Sequence, residues 1–430
     1  MPERVAVVHD AAEVVVGPGP GLRPDWEEGP TGAVSAAGDP DESTPLVRIE
    51  DAAVAVVDGR VAAVGPADEV AREYPPENAE VAVDASGRAV VPGFVDAHTH
   101  ALFAGDRSDE FEAKLRGATY QEILAGGGGI LRTVRATREA DGEALVENLL
   151  AHLDTMLAYG TTTVEVKSGY GLDAETERRM LDAMAEADDR HPVDVVPTFM
   201  GAHAVPEGVD ADDYVERVVD EQLPAVAERG VAEFCDVFCE ADVFSVEQSR
   251  RVLEAGREYG LTPKVHAEEF TRLGGAQLAA EVGAASADHL LHADAEDVRA
   301  LVDAGVTPVL LPGTAFTLGA DYADARAFLD AGAPVAVATD FNPNCYSQSA
   351  QFAVALACSG MGMTPAEALV AATRNGALAL DRADGTGTLR PGAPGDLLVL
   401  DAPSHVHVPY NVGVNTVETV LVDGEVVHRA

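Results

Sequence analysis

The run AVVPGFVDAHTH at residues 89–100 decides how the rest of the chain is read. It is apolar and rich in valine, and it ends in two histidines one residue apart, His98 and His100. Side chains alternate along an extended strand, so both imidazoles project to the same side. Seven more short apolar runs follow in order: TTTVEVKSGY, VDVVPTFMGAH, AEFCDVFCE, LTPKVHAEE, ASADHLLH, TPVLLPG and PVAVATDFN. Between them lie helical stretches such as EALVENLLAHLDTMLAYG (143–160), whose apolar residues recur at three and four positions and which end in a Gly-containing turn. Strand-like runs alternating with helices in this way predict an α/β fold, a parallel (β/α)8 TIM barrel over 89–383. An open doubly wound sheet is the alternative.

Outside the barrel the pattern changes. VAVVDGRVAAVG (54–65) reads as a hairpin turning on Asp58-Gly59, and GTLRPGAPGDLLVLDAP and VETVLVDGEVVHR near the C-terminus have the same style. Residues 1–88 and 384–430 are therefore expected to pack together as one small composite β-sandwich beside the barrel. Residues 17–45, rich in Gly, Pro and acids and holding the only tryptophan, Trp26, read as an exposed insertion with no assigned chemistry.

Composition narrows the function. The 430 residues carry 73 acidic against 29 basic side chains, a formal charge of −44, and lysine occurs only at 114, 167 and 264. Such a field opposes nucleic acid and anionic membranes. The acids are scattered, which indicates a solvated surface that self-repels in dilute salt and is screened in strong salt, as in a salt-loving host. The chain has no run of about 18 apolar residues, and MPERVAVVHD has no secretory pattern, so a cytoplasmic protein is expected. The four cysteines (235, 239, 345, 358) form no C-x-x-C pair and read as inert thiols.

The chemistry gathers at strand ends. His266 ends the fifth run and Asp340 the eighth, at the rim where barrel active sites are built. With His98 and His100 they offer three imidazoles and one carboxylate, a set that suits zinc or iron (Fe2+ or Fe3+) with room for water. Glu269, three residues after His266, is the candidate proton carrier, and His289, ending the sixth run, is placed to touch the water. A bridging carbamylated lysine would be expected on the fourth strand, but that strand ends Phe238-Cys239-Glu240 and Lys167 lies on the second, so one metal is favoured. His405 and His407 repeat the H-x-H pattern with no companions and read as ordinary surface or packing positions. The Gly run 126–129 lacks a Gly-Lys-Ser/Thr ending and reads as a flexible loop over the pocket. The set serves amide hydrolysis or deamination of a purine or pyrimidine ring. A barrel used only for binding would be the non-enzymatic alternative.

Longer motifs discriminate. VPGFVDAHTHALFAGDRSDEFEAKLRGATYQEI, GGGILRTVRATR, KSGYGL, FMGAHAVP, FCDVFCE, HAEEF, SADHLL, LLPGTAFTLG and ATDFNP run through nearly the whole barrel in order. Together they resemble the imidazolonepropionase family, with FAGDR, KSGYG and GAHAVP the most specific segments. The resemblance implies a TIM-barrel hydrolase of a small anionic cyclic amide, working as a homodimer. It implies metal ligands His98, His100, His266 and Asp340; substrate contacts from Arg107, Tyr170, His203 and Glu269; and His289 acting on the attacking water. An arginine at 107 suits a carboxylate tail, since its forked donors grip carboxylates bidentately. After Asp340 the family pattern continues Asn-Pro-Gly-Ser/Thr, whereas this chain has Asn342-Pro343-Asn344-Cys345. Asn344 is expected to keep a positive φ in place of glycine. Asn342, Asn344 and Cys345 carry over as substrate contacts, the thiol making the weaker hydrogen bond.

Overall fold

A computed structural model describes residues 3–19, 46–119, 122–123 and 126–430. Of the insertion read over 17–45, only 17–19 are among them.

Five strands precede the barrel: β1 (Val5–Pro18), β2 (Leu46–Val57), β3 (Arg60–Pro66), β4 (Val81–Asp84) and β5 (Ala89–Pro92). Eight build it: β6 (Phe94–Asp96), β7 (Thr161–Lys167), β8 (Asp194–Ala202), β9 (Phe234–Cys239), β10 (Thr262–Ala267), β11 (Ser286–His289), β12 (Thr307–Leu310) and β13 (Ala336–Val337). They hydrogen-bond in sequence order, every neighbouring pair parallel. The first and last strands meet just beyond their C-terminal ends. Asp340 N donates to His98 O (3.1 Å), His100 N donates to Phe341 O (2.9 Å), and the Asp96 carboxylate accepts Thr339 N (3.0 Å) and Thr339 Oγ1 (2.7 Å). The sheet is thus a closing barrel rather than an open one. β7, TTTVEVK, is buried along its whole length, as a parallel strand covered on both faces must be.

Three more strands, β14 (Leu397–Leu400), β15 (Val417–Val422) and β16 (Glu425–Arg429), join β1–β5 in a second sheet ordered β16-β15-β14-β5-β1-β2-β3, with β4 on β1. The two chain ends share this unit, as expected. Its layers are one continuous hydrogen-bonded sheet that curls back on itself: Val61 N donates to Ala393 O and Gly395 N to Gly59 O, beside an antiparallel bridge between Arg60 and Pro394. Inside the curl Val8, Val14, Val54, Val64, Leu397 and Leu421 form a core of their own.

The boundary read at residue 89 needs correction. Ala89–Pro92 pairs with β14 and β1, so the first run is split between the two sheets and the barrel begins at Phe94. Gly93 is the crossing point: a Cβ there would stand 2.1 Å from Thr162 Oγ1. Only a residue without a side chain lets the chain pass so close to β7.

His405 is a packing position, as expected of the second H-x-H pair. Its backbone N (2.8 Å) and Nδ1 (2.7 Å) bond to Glu13 Oε1, tying the C-terminal segment to β1. The four cysteines are free thiols. Among the described residues no helix is long and apolar enough to cross a membrane.

Candidate metal centre

The closing seam of the barrel is also where the site lies. His98 and His100 follow β6, His266 lies on β10, and Asp340 follows β13; all four side chains are buried. His98 Nε2 is 3.5 Å and His100 Nε2 3.8 Å from Asp340 Oδ1, and His266 Nε2 is 3.3 Å from His100 Nε2. Potential ligand atoms of His98, His100 and Asp340 fall within 4.8 Å of one another, and those of His98, His266 and His289 do likewise. Asp340 reaches this position with φ at +51°, a left-handed conformation rarely taken outside Gly, Asn and Asp.

The donor set fits a divalent cation. His98 Nδ1 faces Asp288 Oδ2 at 2.6 Å, which leaves Nε2 to point inward, and that atom is buried without a hydrogen-bond partner. His266 Nδ1 faces Asp236 Oδ2 at 3.0 Å, so its Nε2 is likewise the inward atom. Burial, then the Lys167 charge and neighbouring imidazoles, hold His98 well below the usual histidine range. Burial, then His203 and His266, do the same for His100. Neutral rings keep lone pairs free for a metal. Burial raises the Asp340 carboxyl to about 6, against the hydrogen bond donated by Thr314 Oγ1 to Oδ2. A cation would favour its ionised form.

Around this cluster stand His289, Glu269, His203 and Tyr170. His289 Nε2 lies 3.7 Å from Glu269 Oε2, and the His289 ring is 5.2 Å from that of His98 and 5.1 Å from that of His266. Burial, with the charges of Asp340 and Glu240, pushes the Glu269 carboxyl well above the ordinary range. His203 stacks on His100 at 4.7 Å and 17°, with Nδ1 held by Gly169 O at 3.1 Å, and burial drops it to about 3. The Tyr170 ring is 5.9 Å from His100 and 5.3 Å from His203. Burial raises its phenol, so it stays a neutral hydrogen-bonding group. Arg107 is nearly buried and donates Nε (3.0 Å) and Nη2 (2.9 Å) to Glu110 Oε2.

The loop after Asp340 does not match its sequence reading. Asn342 is spent on the loop itself: Nδ2 donates to Asp340 O (2.8 Å), and Oδ1 accepts Asn344 N (2.7 Å) and Cys345 N (3.0 Å). Asn344 is absent from the residues with positive φ, and its Oδ1 accepts Lys114 Nζ at 2.5 Å. Cys345 turns inward, 1% exposed, with Sγ 3.8 Å from Thr339 O and 3.7 Å from Thr317 Oγ1. All three hold the segment that presents Asp340. The Gly run is pinned rather than free, since Gly129 N donates to Glu110 Oε1 (3.1 Å) and Gly128 N to Ile123 O (3.0 Å).

The sequence reading missed the charges under the cluster: Lys167, Lys264, Glu165, Asp236 and Asp288, all fully buried. The signal was there, because each is a charged residue inside an apolar strand run, and a buried charge demands partners.

A profile described as "Amidohydrolase family" matches residues 89–427, and one described as "Imidazolonepropionase-like composite domain, bacteria" matches 52–76. The curated "Imidazolonepropionase" of Haloarcula marismortui is 72% identical over 391 residues, 91% of this chain and 93% of that protein. The chain belongs to the amidohydrolase family and, within it, to the imidazolonepropionases. The "Imidazolonepropionase" of Halobacterium salinarum strain R1 is 65% identical, covering 98% of this chain and 97% of that one. Both relatives come from halophilic archaea, in keeping with the acidic surface. The fold of this imidazolonepropionase-family chain is similar to the crystal structure of atrazine chlorohydrolase TrzN from Arthrobacter aurescens TC1 complexed with zinc, with a TM-score of 0.73 at 19% identity, covering 98% of this chain and 95% of that one.

Proposed function

We propose that the chain hydrolyses 4-imidazolone-5-propanoate to N-formimidoyl-L-glutamate, with one divalent cation, zinc or iron, held by His98, His100, His266 and Asp340. The observation that carries this is the convergence of three buried imidazoles and a carboxylate at the barrel mouth, in a chain 72% identical to an imidazolonepropionase. When bound, the cation supplies a nucleophilic hydroxide at neutral pH and polarises a carbonyl oxygen.

The protein's own groups do the rest. Arg107 binds the propionate tail, with Glu110 fixing one edge of its guanidinium. Tyr170 and His203 orient the ring through hydrogen bonds, and their burial keeps water from the pocket. His289 Nε2 aligns the attacking water. Glu269 takes its proton and delivers it to the ring nitrogen as the C–N bond of the amide breaks. The carbonyl carbon becomes a carboxylic acid, which releases its remaining proton to solvent as a carboxylate, and the nitrogen leaves with the proton from Glu269 as an N–H of the formimidoyl group. Glu269 suits this task because burial makes its carboxyl hold a proton more strongly than a free one.

We take residues 94–383 as the catalytic barrel and the two chain ends as a supporting sheet domain. We place the protein in the cytoplasm, without nucleic acid or membrane partners, as the −44 charge favours. A homodimer accords with a groove lined by Phe316, Tyr346, Phe352, Val412 and Val414, with no charged side chain among the described residues. The test is turnover by metal-loaded protein in strong salt. Consumption of the imidazolone with release of N-formimidoyl-L-glutamate supports the reading. Deamination of a purine or cytosine with no imidazolone consumed rejects it.

A further inference from the structure

Lys167 has no part in the mechanism above, yet it is fully buried beneath the metal-facing histidines. Its Nζ lies 2.6 Å from Asp236 Oδ2, 2.9 Å from Glu165 Oε2 and 3.5 Å from Asp288 Oδ2. The same Asp236 oxygen meets His266 Nδ1 (3.0 Å) and the same Asp288 oxygen meets His98 Nδ1 (2.6 Å). Lys167, Asp236 and Asp288 come from β7, β9 and β11, alternate strands whose inward side chains share a layer in a barrel of this kind. Lys264 bonds to Glu165 (2.9 Å) and Ala97 O (3.2 Å) instead, and no ion pair within 4.0 Å joins it to either aspartate among the described residues.

We propose that Lys167 is a positioning residue whose single ammonium fixes Asp236 and Asp288 together, and through them the orientation of His266 and His98 toward the metal. The inference rests on the metal centre proposed above. A carboxylate behind a ligating imidazole sets which ring nitrogen faces the metal and how the ring is turned. Here one cation ties two such carboxylates, so two ligands from different strands are aligned by one group. A positive charge close to a cation site opposes metal binding by simple Coulomb repulsion. Its presence there calls for a geometric benefit that outweighs the repulsion.

The two effects differ in sign, which makes the test decisive. The Zn2+ dissociation constant is measured by competition with a chromophoric chelator at fixed strong salt, on protein whose fold is checked by circular dichroism. Positioning predicts that Lys167→Met weakens Zn2+ binding about 10- to 100-fold. Should that variant fail to fold, Lys167→Met combined with Glu165→Gln removes one buried charge of each sign, and the same weakening is expected. Unchanged or tighter Zn2+ binding in either folded variant, with the unmodified chain binding one equivalent, overturns the proposal and leaves the metal centre standing. No Zn2+ uptake by the unmodified chain overturns both.

Discussion

Replacing Arg107 tests how the substrate is held. Its guanidinium gives Nε and Nη2 to one oxygen of Glu110, and Nη1 has no hydrogen bond among the described residues. One edge of the fork is thereby fixed while Nη1 and the second Nη2 hydrogen remain for a carboxylate. Two hydrogen bonds to a charged group are worth about 1.5–3 kcal/mol each. At about 1.4 kcal/mol per tenfold, Arg107→Ala should lower kcat/KM for the propionate substrate by roughly 10²- to 10⁴-fold. The side chain is only 10% exposed, so strong salt screens this contact little. The assay follows loss of the imidazolone chromophore, beside an analogue whose tail carboxylate is a carboxamide. That analogue should lose less than about tenfold, because a neutral tail never gained the charge-assisted pair. Arg107→Lys should recover part of the loss, keeping the charge without the fork. Equal losses on both substrates would refute the reasoning and make Arg107 a brace for Glu110 and the loop at Gly129.

Three further outcomes are expected. Glu269→Gln should cut kcat about 10²- to 10⁴-fold while leaving bound metal unchanged by elemental analysis, and a variant that lost its metal instead would assign Glu269 to the ligand set. Glu13 is buried, which raises its carboxyl, but hydrogen bonds from the His405 side chain and backbone and from Arg48 outweigh this and hold it at about 2, against 4.5 unperturbed. A depressed carboxyl stabilises the fold above its unfolded value and loses that contribution as pH falls toward the folded one, so unfolding curves of the unmodified chain and Glu13→Gln should converge by about 2 kcal/mol between pH 6 and pH 3, and parallel curves would contradict the clamp. Desalting should lower the melting temperature, as expected for a chain of charge −44, and a flat or rising value would remove self-repulsion as the governing surface effect.

The barrel was legible because its strands are buried on both faces, which writes most of them as short, largely apolar runs, and because helices of different periodicity separate them. The four candidate ligands stood out for the same reason, as polar residues ending such runs. What escaped reading depends on contacts between distant strands. Lys167 meets Asp236 69 residues away and Asp288 121 residues away, and no local pattern announces such a pairing. The start of the barrel was misplaced because Ala89–Pro92 is as apolar as Phe94–Asp96, and only the close passage of Gly93 over Thr162 separates the two sheets. The loop after Asp340 misled because residue type does not reveal direction. Gly313, whose added Cβ would lie 3.3 Å from Cys345 Sγ, leaves room for the thiol to turn inward.

The most direct test is a crystal structure of the metal-loaded protein with anomalous data at the absorption edge of the bound metal. The account predicts one peak about 2.0–2.2 Å from His98 Nε2, His100 Nε2, His266 Nε2 and a carboxylate oxygen of Asp340. A peak held by His289 in place of Asp340, or a second metal bridged to the first, would contradict it.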